Sequence, residues 1–156
     1  MLNDVSHMEV TTESAEAAEH SVQELLTEGS SHVGKLCLIL IQTTEFYRAG
    51  DETKGRELFM ELIEGMEWFV KIASAAGQLL KIDFAETSCA GRTITESVDS
   101  LNGILLEIIV AQEQRDLILM TDLLEYELAP QLEHWMEIFT LLRQRDADNS
   151  GESLPL

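Results

Sequence analysis

Apolar residues in this chain recur three and four positions apart, and that spacing suits a helix with a single apolar stripe. It is clearest between Glu52 and Ile82, where Phe59, Leu62, Met66, Phe69, Ala73, Ala76 and Leu80 fall on one line. Ile94, Val98, Leu101, Leu105 and Ile108 repeat the rhythm, as do Leu117, Leu124, Leu128, Trp135, Phe139 and Leu142. Such stripes are buried most simply against one another. The chain is therefore expected to be all-α: an antiparallel bundle of four long helices with a short N-terminal helix.

Local signals set the expected boundaries. Residues 1–12 read as a flexible N-terminus, 13–145 as one helical-bundle domain, and 146–156 as a disordered polar tail. Ser21-Val-Gln-Glu24 has capping-box spacing, and Gly29-Ser30-Ser31 offers a stop. A short helix, a break and a second helix from about Ser31 to Arg48 follow from that reading. Val22, Leu26, Val33, Leu36 and Leu40 share one heptad phase, however, so a single helix through the glycine stays open as the alternative. Gly50-Asp51 suits a left-handed helix end followed by a new N-cap, which folds the next helix back on the first. Residues 83–92 form a connection, and Thr93-Ile-Thr-Glu96 is a second capping box. Near Arg115-Asp116 the chain either turns or continues. Pro130, inside the last helix, is expected to kink it, because proline lacks a donor and crowds the preceding turn.

Composition narrows the function classes. At 156 residues the chain suits one domain, and its formal net charge of −19 repels phosphate backbones and anionic membrane surfaces. Neither nucleic acid nor membrane is an expected partner. No basic and apolar leader opens the sequence, and the longest apolar run, Leu36–Ile41, is far short of the roughly 20 residues that span a bilayer. A cytoplasmic location is the expectation. Cys37 and Cys89 are then free thiols, with a redox role as the minor alternative.

Catalytic constellations are not evident. There is no nucleophile elbow, phosphate-binding loop or dinucleotide fingerprint, so the chain is read as a non-enzyme without cofactor. Glu57, Glu61, Glu64 and Glu67 line one helix, as carboxylates do in di-metal bundles. Those sites also need Glu-x-x-His pairs pointing inward, and none of His7, His20, His32 and His134 follows a glutamate by three. No metal ligand is assigned, and a carboxylate-bridged metal bundle is kept as the alternative function. His134 reads as a boundary residue that turns its polar edge outward beside Trp135. Gly65 and Gly103 are read as sites of close helix approach.

Protein interaction is the remaining class. Leu36–Ile41 is apolar on every side, which suits a central helix or a face offered to a second chain, so a homodimer is a possible assembly. Trp68 and Tyr126 fall off the main stripes, and with Trp135 they are the candidate partner-binding residues.

The stretch Asp122-Leu-Leu-Glu-Tyr-Glu-Leu-Ala-Pro-Gln-Leu-Glu-His-Trp135 resembles the last helix of small uncharacterised helical bacterial proteins. Some such bundles resemble flagellar export chaperones, which hold a secretion substrate in the cytoplasm. The resemblance implies a chaperone-like or adaptor role with a protein partner, and carries over no individual residue.

Overall fold

The computed structural model describes the backbone of residues 12–149 and the side chains of residues 22–149; the expectations for residues 1–11 and 150–156 lie outside it. Four helical rods make up nearly everything described. They are α1 (Thr12–Arg48), α2 (Glu52–Leu79), α3 (Ile94–Glu113) and a last rod built from α4 (Leu117–Asp122), a π-helical segment (Leu123–Leu128) and α5 (Ala129–Asn149). A two-residue ribbon, β1 (Ser88–Cys89) against β2 (Arg92–Thr93), lies in the long connection before α3. The all-α expectation holds; the short separate N-terminal helix does not.

That first correction has a packing cause. Chain 12–48 is one helix of 37 residues, running through Ser21–Glu24 and through Gly29. Gly29 is there for space. A Cβ at this position would sit 2.5 Å from Cε1 of Phe139, so the glycine lets the aromatic ring of α5 lie directly on the α1 backbone. Gly65 does the same for α2, where a Cβ would come 2.4 Å from Cδ2 of Leu36 on α1. Gly103, expected to serve likewise, faces open space.

Rod ends are set by repeated local chemistry. Gly50 (φ 83°) and Arg115 (φ 56°) are left-handed, and each is followed by an aspartate N-cap. Asp51 accepts from the Lys54 N–H at 3.2 Å, and Asp116 from the Leu119 N–H at 3.1 Å. Two tight hairpins result, α1–α2 and α3–α4, so the chain turns at Arg115. The α3 N-terminus carries the complete capping box: Thr93 N–H donates to Glu96 Oε1 at 2.9 Å, and Glu96 N–H donates to Thr93 Oγ1 at 3.1 Å. Ala90 (φ 51°) and Gly91 (φ 85°) are both left-handed and close the β ribbon as a two-residue turn.

Pro130 does not end its helix. The widened π segment precedes it, and the Ala129 N–H reaches back five residues to the Leu124 carbonyl. One extra residue in that turn lets the backbone pass the missing donor without a break. At the far end, α5 continues to Asn149, so positions 146–149 of the expected tail are helical. Asp146 is buried and accepts from Gln23 Nε2 at 2.6 Å.

Between the rods the stripes meet as their spacing requires. α1 packs most extensively on α2 and next on α5, while α3 lies on the rod formed by α4, the π segment and α5. Leu26, Leu36, Phe59, Leu62, Met66, Phe69, Ile108, Leu132, Trp135 and Phe139 are fully buried together. The Gln23–Asp146 bond and the Arg48–Glu125 ion pair tie opposite ends of α1 to the last rod, so the two run antiparallel. Among the described residues no helix is long and apolar enough to cross a membrane.

Candidate functional site

The three aromatic candidates occupy different environments. Trp135 is fully buried, with its ring centroid 5.3 Å from Phe69 and 6.5 Å from Phe139. It is a core residue and cannot anchor a partner on the folded surface, which corrects its candidacy. Trp68 is 41% exposed and stacks edge-on against His32 of α1, centroids 4.4 Å apart. Tyr126 is 67% exposed on the π segment. It lies beside Arg48, whose pKa is raised chiefly by its hydrogen bond with Glu125. Trp68 and Tyr126 are not brought together into one site.

A more continuous apolar surface lies where α3 turns into α4. Leu106, Val110 and Ala111 from α3 and Leu119 and Leu123 from the last rod line an open groove of 470 Å³, with Glu107 and Gln114 at its edge. Leu106 is 65% exposed, and Ile118, adjoining Leu119, is 78% exposed. The helical stripes explain why these residues are left over. Ile108 and Ala111 point into the bundle, so Leu106 and Val110 must point away from it. The sequence shows only that Leu106, Val110, Ile118 and Leu119 are apolar residues on neighbouring turns; which of them stay exposed depends on the packing of α3.

The second concentration of chemistry is polar and lies between α3, α5 and the β ribbon. His134 is buried rather than turned outward, and this corrects its boundary reading. Its Nε2 lies 2.7 Å from Ser97 Oγ, and the Ser97 hydroxyl donates to the Thr93 carbonyl at 3.2 Å. One turn away, Gln131 Nε2 donates to Ser100 Oγ at 3.0 Å. These two pairs form a polar seam that fixes the register of α3 on α5, since a slip would strand buried polar groups. On the other side of the imidazole, Nδ1 is 3.8 Å from Glu137 Oε2. The Cys89 thiol completes a group of three, with ligand atoms of Cys89, His134 and Glu137 all within 4.8 Å of one another. By contrast Glu57, Glu61, Glu64 and Glu67 are exposed along α2, so the helix-borne carboxylates considered for a metal centre face solvent.

Serine or thiol nucleophile chemistry does not fit this cluster. Ser97 is fully buried and its hydroxyl is engaged with the Thr93 carbonyl. Burial, reinforced by Glu137, raises the Cys89 thiol pKa and so keeps it protonated. Cys37, half-buried on α1, is likewise raised, by burial and then Glu133, and both cysteines are free.

Two histidines link the fold to pH. His134 is shifted below the ordinary 6.5, first by burial and then by Arg92, and His32 is shifted down chiefly by burial. Above the ordinary value both histidines are neutral in the folded and unfolded chain. As pH falls through it, the unfolded chain binds protons first, so stability declines until the folded histidines also titrate. The urea midpoint is therefore expected to fall between about pH 7.5 and pH 5.5, and less steeply in His134→Gln. An equal slope in the variant would remove His134 from this account.

Comparison with known proteins places the chain in a family. No curated protein and no solved structure matches it. Residues 24–138 match the family described as Domain of unknown function (DUF8042), a span from the first buried turns of α1 to the buried aromatics of α5. That match covers most of the bundle, the family is itself uncharacterised, and it shows no likeness to export chaperones. The chain belongs to the DUF8042 family.

Proposed function

We propose that this protein is a non-enzymatic interaction module whose α3–α4 groove receives an amphipathic helix of another protein. The observation that carries this reading is the uncovered apolar groove formed by Leu106, Val110, Leu119 and Leu123. Helix-in-groove recognition uses such a surface, with apolar anchors three and four residues apart. Charge selects among helices. The chain carries −19 overall, Glu107 lines the groove, and Glu113 and Asp116 flank Arg115 in the turn that closes it. The fitting partner is a segment whose apolar stripe is flanked by lysine or arginine. A chaperone-like holding role is the narrower form of the same reading, and a cytoplasmic adaptor is the other.

The test is affinity capture from the native cells with wild-type bait beside Leu106→Asp and Leu119→Asp. A stoichiometric partner that is weakened by salt and lost at least about tenfold in both variants is expected, since a charge placed in an apolar contact costs more than 1.4 kcal/mol. Capture that is unchanged in both folded variants would overturn the groove as the site.

A homodimer has one observation of its own. Leu38 (63% exposed) and Ile41 (52% exposed) leave an apolar strip on the outer face of α1. Light scattering of wild type and Leu38→Glu separates this assembly from the groove, because the groove variants leave that strip intact.

A further inference from the structure

We propose that Cys89, His134 and Glu137 form a binding site for a zinc-class divalent metal ion, which clamps the β ribbon to α5. The three side chains bring one sulfur, one imidazole nitrogen and one carboxylate oxygen within 4.8 Å of one another. That donor set suits a borderline-soft ion such as zinc or cobalt, and excludes magnesium and calcium, which take oxygen ligands. Closing to metal–ligand bonds of roughly 2.0–2.3 Å requires the donors to draw together by about an ångström. Two of the three can do so. Glu137 has a side chain that is 62% exposed, and Cys89 sits next to the two-residue turn at Ala90-Gly91.

His134 is the fixed member, and its far nitrogen is already arranged for ligation. Histidine ligands usually carry their other ring N–H on a hydrogen-bond acceptor, which settles the tautomer and the ring orientation. Here Ser97 Oγ lies 2.7 Å from Nε2. In the tautomer that carries its proton on Nε2, Ser97 Oγ accepts from the ring while its own hydroxyl donates to the Thr93 carbonyl, 3.2 Å away. That tautomer leaves the Nδ1 lone pair free to ligate on the Glu137 side, where the carboxylate lies 3.8 Å away. A cation held by Nδ1, the carboxylate and the thiol would select that tautomer over the one that points an Nδ1 proton at Glu137. The thiol gives up its proton on binding, so thiolate and carboxylate together offset the metal charge while Arg92, which lies near enough to lower the His134 pKa, opposes it. Three protein ligands leave a fourth position on the exposed Glu137 side for water.

The signal was present in the sequence in reversed order. Di-metal bundles carry Glu-x-x-His, whereas here the helix reads His134-Trp-Met-Glu137, and the third ligand comes from a hairpin 45 positions earlier. The site is independent of the α3–α4 groove, and the two proposals fail separately.

Cobalt reports both geometry and ligand type. Chelator-treated, reduced protein is titrated with Co²⁺ in the presence of a thiol-free reductant. One equivalent is expected to produce visible d–d bands of a four-coordinate ion and a thiolate-to-cobalt charge-transfer band in the near ultraviolet, with zinc displacing both. Cys89→Ser is expected to abolish the charge-transfer band, Glu137→Gln to weaken binding, and Ser97→Ala to weaken it roughly 10–100-fold. Cys37→Ser should leave all bands unchanged. Circular dichroism of each apo variant confirms the fold. Absence of a charge-transfer band in the wild type, its survival in folded Cys89→Ser, or its loss in Cys37→Ser would each overturn the site.

Discussion

Trp135→Ala is expected to cost about 3–5 kcal/mol, the usual loss for deleting a large buried aromatic. At about 2–4 °C per kcal/mol for a chain of this size, the thermal midpoint falls by roughly 6–20 °C. The reason is its position. Trp135 is fully buried and touches Phe69 of α2 and Phe139 of its own helix, so truncation opens a cavity between α2 and α5. Trp68→Ala is the comparison, because its ring is 41% exposed and backed mainly by His32. It should cost less than half as much. Calorimetry of both variants decides the matter. Equal losses would mean that the core is centred elsewhere.

The helical glycines are expected to split in sign. Replacing glycine by alanine inside a helix ordinarily gains about 1 kcal/mol of propensity. At Gly103 a new Cβ would meet nothing within 4 Å, so Gly103→Ala should stabilise by about that amount. At Gly29 the same Cβ would lie 2.5 Å from the Phe139 ring, which is itself buried and held by Phe69 and Trp135. Overpacking of that kind costs about 1–3 kcal/mol, which offsets or exceeds the propensity gain, so Gly29→Ala is expected to be a net loss of up to about 2 kcal/mol. Gly65→Ala should also destabilise, against the buried Leu36. Urea denaturation at unchanged m-value measures all three. A stabilising Gly29→Ala would contradict the continuous α1 helix packed on α5.

These two cases also mark where the sequence is legible. The stripe Phe59, Leu62, Met66, Phe69, Ala73, Ala76 and Leu80 is a local pattern; its first six members are buried, and Leu80, at the α2 C-cap, is half-buried. Asp51 and Thr93 are N-caps for equally local reasons. Gly29 could not be read in isolation. Glycine both ends helices and admits close neighbours, and the deciding atom, a ring of Phe139, is 110 positions away. Pro130 poses the same difficulty, since several backbone arrangements can accommodate it; the one found is a π segment just before it, with Leu124 and Leu128 buried. The His134 environment depends on Ser97 and Cys89, which lie on other elements, so only the His134–Glu137 half of it was local. Exposure of Leu106 and Val110 follows from which α3 face the last rod covers, and that is a tertiary fact.

Two features extend this fold toward function: a hydrophobic groove left open at the α3–α4 corner, and a ligand-like trio under the β ribbon. The first is the central claim, because it names a surface and the chemistry of what covers it. The direct measurement is site-specific photo-cross-linking in native cells, with the reactive side chain at Leu106, at Val110, and at Glu57 on the far exposed face of α2. One partner protein is expected to be joined at the two groove positions, through a helical segment with basic flanks, and not at Glu57. Cross-linking that is equal at all three positions, or confined to Glu57, would contradict it.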